Sequence, residues 1–377
     1  MAGRGRSMSA EGTAGGGGRR GVPPWAVRRF VVDPLFVPVA VVGVCVGLVV
    51  AVVGLLGVPL DRRLRVSRAA MLAAVYLGTE AVVIVAAFEL WLARPVLGRQ
   101  KRRQKQRQRQ PYENAHVWVL RCALGVLIVA ARRLTGLRLD ISEPPVGGPG
   151  ADGGTPPVLV LSRHAGPGDS FVLVHLLLSR YRLVPRVVLL GRLQLDPAID
   201  ILLGRLDACF VRNDGGDEQA AERIGALARR LGPGEALVIF PEGANFTPSR
   251  RRRLIARLRA RGQWERAAVA EDLDAVLPPR PAGVLAALAA GTIAAAMIVA
   301  HAGLDELDEP GEVWRAVPFT VPLTMRWWWA PVSEIPPGDA GRRQWLTMHW
   351  AVLNAWIDAR RAEADAEPAG IRSGGPS

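Results

Sequence analysis

The sequence is poor in cysteine, and the few it has are scattered. The three cysteines, Cys45, Cys122 and Cys209, form no Cys-x-x-Cys pair. A disulfide framework and a cysteine-based zinc site are therefore excluded, and each cysteine is predicted to serve in packing. This usage is compatible with a folded part that faces the reducing cytoplasm.

Aromatic and acidic residues are also scarce. Phe, Trp and Tyr make up 6% of the chain, and no nucleic-acid-binding motif is present. Lys and Arg total 48 against 34 Asp and Glu, a net charge of +14, while 50% of the residues are hydrophobic. A chain that is both apolar and basic suits an anionic phospholipid surface, where each basic residue contributes about 1 kcal/mol. Nucleic acid, the other common polyanion, is disfavoured as a partner.

Two long hydrophobic runs stand near the N-terminus. Residues 35–60 contain no charged residue, and as a helix they are long enough to cross a hydrocarbon core about 30 Å thick. The second run, 69–93, contains Glu80 and Glu89, so its helix should hide one face against a neighbour or lie partly in the interface. The two runs predict an N-terminal membrane helical hairpin, placed at 31–98.

The distribution of basic residues predicts an orientation for this hairpin. Six arginines precede it, eight basic residues follow at 94–109, and four arginines lie in the linker at 62–68. The flanks are more basic than the linker. This predicts that the hairpin lies in a bacterial-type plasma membrane and that both its ends, and the chain after them, are cytoplasmic. Because a linker with four arginines crosses a membrane poorly, a re-entrant hairpin is an open alternative.

Composition sets the other boundaries. Residues 1–30 form a predicted disordered basic tail, 99–114 a basic linker, 115–360 the main domain and 361–377 a second disordered tail. Within the main domain, residues 116–134 have the apolar spacing of an amphipathic helix.

From residue 158 onward, short apolar strands alternate with helices. VLVLS at 158–162 is followed by a helical pattern, and the same alternation recurs up to ALVI at 236–239. This order predicts an α/β fold whose largely parallel sheet is flanked by helices. Residues 282–300 are predicted to be a helix and a buried strand, because Gly291 and Thr292 interrupt them; a third membrane helix is the alternative.

The first strand of this pattern runs directly into a His and an Asp. His164 and Asp169 are separated by a turn that contains Gly166, Pro167 and Gly168. If the turn folds the carboxylate back onto the imidazole, Asp169 would orient His164 as a general base for an attacking hydroxyl. The alternative is that Asp169 only caps the helix that follows.

Two further motifs follow later strands. FPEG places Glu242 and Gly243 at a strand end, and the arginine run that includes Arg250 and Arg251 comes soon after. Arg212 directly follows another apolar strand. Guanidinium groups at this edge would suit a phosphate; ordinary surface turns and surface charges are the alternative.

Together these residues resemble the glycerolipid acyltransferase family, which includes the 1-acylglycerol-3-phosphate acyltransferases, over about residues 115–335. The His164–Asp169 pair matches the family's His-x4-Asp block, residues 191–212 look like its second block, and FPEG matches its third. The resemblance implies that His164 is the general base, that Asp169 orients it, that Arg212 binds phosphate, and that Glu242 and Gly243 lie in the acceptor site.

The resemblance also implies a reaction and its partners. It predicts transfer of a fatty-acyl group from acyl-CoA or acyl-carrier protein to a lysophospholipid hydroxyl, with membrane phospholipid as a partner and no metal or cofactor. The simplest acceptor is 1-acylglycerol-3-phosphate. Lysophosphatidylinositol, lysophosphatidylglycerol and glycolipids are alternatives, and a basic membrane-anchored scaffold is the non-enzymatic one.

The chain departs from the family pattern at two blocks, and a later block is ambiguous. The second block commonly starts with Lys where this chain has Arg192. Ala244 and Asn245 follow FPEG where the family usually has Thr-Arg, so a phosphate contact would come from elsewhere, such as Arg250 and Arg251. Both 276–283 and 317–322 could be the fourth block. A structural role is predicted for the four other histidines and for the tryptophan triplet; these are His116, His175, His301, His349 and residues 327–329.

Overall fold

A computed structural model describes most of the chain. The described residues are 22–57, 61–98, 111–142, 155–166, 168–211, 216–304, 307 and 310–366. Most of both predicted tails, most of the basic linker and the candidate Arg212 lie outside them.

Eleven helices and seven strands make up the described part, besides short 3-10 turns. The helices are α1 (Trp25–Leu56, π-helical over Arg28–Val32), α2 (Arg65–Gly98), α3 (Pro111–Thr135), α4 (Asp169–Ser179), α5 (Pro197–Arg205), α6 (Gly216–Ala228), α7 (Pro248–Ala260), α8 (Trp264–Glu271), α9 (Pro281–Ala289), α10 (Pro310–Ala316) and α11 (Asp339–Ala366). The strands are β1 (Leu139–Ile141), β2 (Val158–Ser162), β3 (Val184–Leu190), β4 (Cys209–Val211), β5 (Glu235–Ile239), β6 (Ala295–Ala302) and β7 (Leu323–Pro331).

The strands form one sheet in the order β1-β7-β6-β2-β5-β3-β4. The five strands from β6 to β4 run parallel to one another, whereas β7 pairs antiparallel with β6 and β1 runs parallel to β7. The predicted α/β fold with a largely parallel sheet is therefore confirmed. Its central strand, β2, is fully buried, and β5 and β6 lie on either side of it.

Helices cover both faces of the sheet, which is why the central strands are apolar throughout. Val158 and Val160 of β2 pack on one face with α3, α4 and α5. Leu159 and Leu161, which alternate with them, pack on the opposite face with α6, α9 and α11. The period of two along a strand thus divides the core into two layers.

The first two helices pack closely and antiparallel. A side-chain carbon at Gly47 would lie 3.1 Å from the Ala70 carbonyl oxygen, and one at Gly54 would lie 2.5 Å from Ser67 Oγ. Small residues therefore permit the close approach of α1 to α2. The residues that connect them, 58–60, lie outside the described part, so the predicted hairpin is not confirmed as such.

An ionic cluster joins the first turns of α1 to α5. Arg28 Nε lies 2.9 Å and Arg29 Nη2 lies 2.8 Å from Asp200 Oδ2, and Arg29 also pairs with Asp33 at 2.9 Å. Both carboxylates and Arg28 are buried. Because an unpaired buried charge is costly, this cluster ties the N-terminal helix to the sheet-bearing part of the molecule.

The second helix lies along the sheet-bearing part for most of its length. Arg65 Nε donates to the Val317 carbonyl oxygen at 3.2 Å, and Arg205 Nη1 donates to that of Ala87 at 2.7 Å. Between these points Glu80 is buried and accepts the Ala198 amide at 3.2 Å. Glu80 is therefore hidden against α5, as one of the two predicted alternatives requires, whereas Glu89 is exposed.

Several boundaries differ from the predicted ones. The first helix begins at Trp25, inside the predicted tail, and the last continues to Ala366, beyond the predicted domain end at 360. The predicted amphipathic helix is observed as α3, and residues 282–300 are the predicted helix and buried strand, α9 and β6. Strands β1 and β7 were not predicted. Trp327–Trp329 lie on β7, where the Trp327 side chain is buried in the core and the other two are half-buried, in agreement with their predicted structural role.

Candidate active site

Three neighbouring parallel strands end at the same edge of the sheet. β2 ends at Ser162, β5 at Ile239 and β6 at Ala302, and the turns beyond the first two carry His164 and Glu242. Because the carboxyl ends of parallel strands form the usual ligand site in α/β sheets, this edge is the candidate active site.

The turn after β2 brings His164 and Asp169 together. His164 Nδ1 lies 2.9 Å from Asp169 Oδ2, while Gly166 and Gly168 turn the chain through positive φ values of 90° and 81°. A side-chain carbon at Gly166 would lie 2.7 Å from the Leu304 carbonyl oxygen, so only glycine fits this turn. The carboxylate holds the proton on Nδ1, which leaves the Nε2 lone pair available as a base.

Asp169 is buried and receives several hydrogen bonds. Its Oδ2 accepts the Ala165 amide at 2.7 Å, and its Oδ1 accepts the Ser170 amide at 2.5 Å and hydroxyl at 3.0 Å. Burial by itself would raise the pKa of Asp169, but hydrogen bonds and charge interactions with His164 and His301 outweigh it and lower that pKa well below its ordinary value. The carboxylate therefore stays ionised, as an orienting group for an imidazolium must.

Glu242 of FPEG is not exposed to solvent but joins two neighbouring segments of the chain by hydrogen bonds. Its Oε1 accepts the His164 amide at 3.1 Å, and its Oε2 accepts the Leu277 amide at 2.8 Å. The side chain is buried, and burial raises its pKa to about 7, against the lowering effect of the two amides and of nearby Arg163. Glu242 thus fixes the backbone that carries His164.

Gly243, next to Glu242, lies close to an arginine, Arg280, at the same turn. Gly243 has φ 68°, and a side-chain carbon there would lie 3.1 Å from Arg280 Nε. The Arg280 amide also donates to the Pro241 carbonyl oxygen at 2.8 Å. Sequence reasoning did not name Arg280 as a site residue, although it lies in PPRP of 276–283, one of the two segments considered for the fourth block.

Arg163 is fully buried just before His164. Its guanidinium donates to the His301 carbonyl oxygen at 2.5 Å and to that of Ala275 at 2.6 Å, and it lies 5.8 Å from the centre of the Phe246 ring. The arginine therefore joins the ends of β2 and β6 to the segment before α9. Sequence reasoning passed over it because a basic residue at a strand end is usually exposed.

The other predicted binding residues are placed less centrally. Arg251 is engaged within its own surroundings, with Asp274 at 2.6 Å and the Glu271 carbonyl oxygen at 2.6 Å, and Arg250 donates to the Asn245 carbonyl oxygen. Arg212 lies outside the described residues. Phosphate binding by these three arginines stays a prediction.

The site contains a second histidine that the sequence did not single out. His301 Nε2, on β6, lies 3.3 Å from Asp169 Oδ2, so one carboxylate oxygen faces two imidazoles. The structural role predicted for His301 stays a prediction, and its ring contacts the Asp169 carboxylate of the candidate catalytic pair. No local pattern could have found it, because a lone His in an apolar strand carries no motif.

The part of the chain that carries His164 and Glu242 matches a known protein family. Residues 149–279 match the family model described as Acyltransferase. These residues belong to the acyltransferase family. The resemblance to the glycerolipid acyltransferases is confirmed over this part of the chain, which contains His164, Asp169 and Glu242. A search of curated proteins and a search of solved structures gave no match.

The candidate active site is suited to base-assisted attack by a hydroxyl. The His164 side chain is 25% exposed whereas that of Asp169 is 6% exposed, so the imidazole reaches solvent and its carboxylate does not. Phe240 packs against the imidazole with ring centres 4.7 Å apart. Among the described residues, no group of three or more His, Cys, Asp or Glu is arranged to hold a metal ion.

Proposed function

We propose that this acyltransferase is membrane-bound and moves a fatty-acyl group from a thioester to the free hydroxyl of a lysophospholipid. The simplest case converts 1-acylglycerol-3-phosphate to phosphatidate. The observation that carries the proposal is the His164–Asp169 pair, with Nδ1 held at 2.9 Å and the ring partly exposed at the sheet edge. The family match supports acyl transfer in general.

In the proposed reaction His164 Nε2 removes the proton of the acceptor hydroxyl as its oxygen attacks the thioester carbonyl carbon. A carbon–oxygen bond forms and the carbon–sulfur bond breaks. The resulting imidazolium, stabilised by Asp169, returns the proton to the leaving thiolate. The products are the new ester and a free thiol, which is coenzyme A or acyl-carrier protein.

A lipid acceptor is supported by the apolar surface of the N-terminal helices. Three helices are long and apolar enough to cross a membrane, namely α1, most of α2, and α3. Apolar side chains are exposed along α1, and an apolar groove of about 480 Å³ between α2 and α3 includes Met71, Val75 and Val126. Such surfaces suit acyl chains, and a site beside them would meet a concentrated lipid acceptor.

The packing of α2 favours the re-entrant alternative over a spanning hairpin. Because α2 contacts the sheet-bearing part from Arg65 to Ala87, a perpendicular α2 would draw the charged residues of α5, Asp200 and Arg205, to bilayer depth. We infer that α1 and α2 enter only the cytoplasmic leaflet of the plasma membrane. In a cysteine-free background, Arg62→Cys should then resist an impermeant maleimide added outside the cell. Labelling from outside would establish the spanning form.

The function is tested with the purified full-length protein in phospholipid nanodiscs. Acyl-CoA and acyl-carrier protein are each supplied with a panel of lysolipids, and the products are identified by mass spectrometry. We expect His164→Ala to lower kcat by about 100- to 10,000-fold, the usual contribution of a general base. His349→Ala is the matched control, because the contacts of this ring are with Trp345 of the same helix, α11, whose carbonyl oxygen lies 2.9 Å from Nδ1.

Each outcome of this panel decides a named alternative. Transfer to lysophosphatidylinositol, lysophosphatidylglycerol or a glycolipid, but not to 1-acylglycerol-3-phosphate, would replace the acceptor and keep the chemistry. No transfer with any thioester would favour the basic membrane scaffold. A fully active His164→Ala variant with native circular dichroism would remove His164 as the base.

A further inference from the structure

His301 is buried at the end of β6 and faces two oxygen atoms. Its Nε2 lies 3.3 Å from Asp169 Oδ2 and 3.3 Å from the Arg163 carbonyl oxygen. The side chain is 2% exposed. The His301 carbonyl oxygen accepts the Arg163 guanidinium at 2.5 Å, so the backbone of this residue is fixed as well as its ring.

These contacts determine the tautomer of His301. A carboxylate and a carbonyl oxygen both accept hydrogen bonds, so Nε2 must carry the proton that they share. In the neutral ring Nδ1 is then unprotonated, and this buried atom has no hydrogen-bond partner among the described residues. His164 has the opposite arrangement, since its Nδ1 faces Asp169. The two rings thus donate to one carboxylate oxygen from opposite nitrogen atoms.

We propose that His301 is a positioning residue for acyl transfer, which holds Asp169 Oδ2 against His164 and takes a share of the carboxylate's charge. The inference rests on the proposed function, because it assigns His301 a part in the same reaction. His301 touches no substrate in this role; it acts through Asp169. It adds a tether from β6 to a carboxylate that otherwise belongs to the turn after β2.

The electrostatic consequence follows from the groups around His301. Asp169 of α4 faces it, Arg163 and His164 come from the end of β2, and its partner on β7 is the uncharged Met325. On α11, Asp358 acts on Arg163. Removing the Nε2–H donor leaves more negative charge on Asp169 toward His164. That change in charge should move the acidic limb of the pH–rate profile to higher pH.

Two substitutions separate a hydrogen-bonding role from a packing role. Gln places an amide N–H near the position of Nε2, whereas Leu fills similar space without a donor. We expect His301→Leu to lower kcat about 10- to 100-fold with a nearly unchanged KM, as for a lost hydrogen bond to a charged group. His301→Gln should recover most of that loss. His349→Leu on α11 is the matched control.

The decisive experiment combines a pH–rate profile with NMR of the imidazole nitrogen atoms. It uses full-length protein in nanodiscs with labelled histidine. In His301→Leu the acidic limb of the kcat/KM profile should move to higher pH, and in His301→Gln it should return toward the wild type. In the wild type, the nitrogen shifts of His301 should report a proton on Nε2.

The proposal is overturned if His301→Leu keeps wild-type rates, or if both variants lose activity equally while the acidic limb of the profile stays in place. The nitrogen shifts of His301 can be measured without turnover. If the wild-type protein transfers no acyl group, the proposed function fails, and these shifts still decide whether His301 Nε2 carries the proton that faces Asp169.

Discussion

Asp169 and Glu242 are both buried carboxylates beside the ends of neighbouring strands, and both hold the segment that carries His164. Their hydrogen-bond donors differ. Asp169 accepts hydrogen bonds from two imidazole groups, a hydroxyl and two backbone amides, whereas Glu242 accepts them from two backbone amides. The pKa of Asp169 lies below its ordinary value, whereas burial raises that of Glu242 to about 7.

Burial alone therefore does not decide which carboxylate is charged. At Asp169, groups that can carry a positive charge outweigh the loss of solvation, and the side chain can stabilise an imidazolium. At Glu242, amides compensate only part of that loss, so the side chain serves as a connector near neutral pH. At this edge of the sheet, Asp169 thus has an electrostatic role and Glu242 has a structural one.

Among the substitutions that test this comparison of the two carboxylates, Asp169→Asn has the largest expected effect. The neutral amide cannot stabilise the imidazolium and permits the wrong tautomer of His164, so kcat should fall by at least about 100-fold. Steady-state assays measure this, with KM for the acceptor nearly unchanged. The control is Asp272→Asn, an exposed site. If Asp169→Asn kept full activity, Asp169 would be a helix-capping residue only.

Glu242→Gln tests the other carboxylate through stability and its pH dependence. Because the folded pKa of about 7 exceeds the ordinary 4.5, the folded state holds an extra proton between these values. The stability that this proton provides is complete below pH 4.5 and lost as pH rises through 7, with a total on the order of 3 kcal/mol. Thermal melting of the wild type should therefore show lower melting temperatures at pH 8 than at pH 5.

In Glu242→Gln this slope of melting temperature against pH should disappear. The melting temperature should also fall at every pH, because the amide N–H₂ faces a backbone donor. The surface variant Glu271→Gln should retain the slope. An unchanged slope in Glu242→Gln would assign the pH dependence to another group. Asp169 should act in the opposite sense: its lowered pKa gives stability that is present above pH 3.8 and lost in stronger acid.

The smallest expected effect is that of Ser170→Ala. Its hydroxyl donates to Asp169 Oδ1 at 3.0 Å, but the Ser170 amide donates to the same atom at 2.5 Å and remains in the variant. We expect kcat to fall about 2- to 5-fold, as for one neutral hydrogen bond. A fall as large as that of Asp169→Asn, in the same assay, would show that the hydroxyl takes a larger part in the chemistry.

The sequence predicted the central strands well because a buried parallel strand is a continuous apolar run. VLVLS at 158–162 is predicted to be a strand, and β2 spans these same residues. Strand β1 has only three residues, with Asp140 in its middle, and depends on pairing with β7. In β7 the alternation of buried Leu323, Met325 and Trp327 with exposed or half-buried neighbours was obscured by the tryptophan run.

The site was predictable where its parts are close in the chain. His164 and Asp169 are five positions apart with glycines between them, so a local turn suffices to join them. His301 and Arg280 come from segments far along the chain, and only the sheet order places β6 beside β2. Their positions depend on tertiary pairing, which a single sequence does not reveal.

The ionic cluster of Arg28, Arg29, Asp33 and Asp200 has a practical consequence for protein engineering. A fragment designed to be water-soluble by starting after residue 110 would lack both arginines. Among the described residues, Gln194 would then be the remaining side-chain donor to the Asp200 carboxylate. The fragment would also uncover the apolar surface of α3. Such a fragment should aggregate unless Asp200 is replaced by a neutral residue and the exposed face of α3 is made polar.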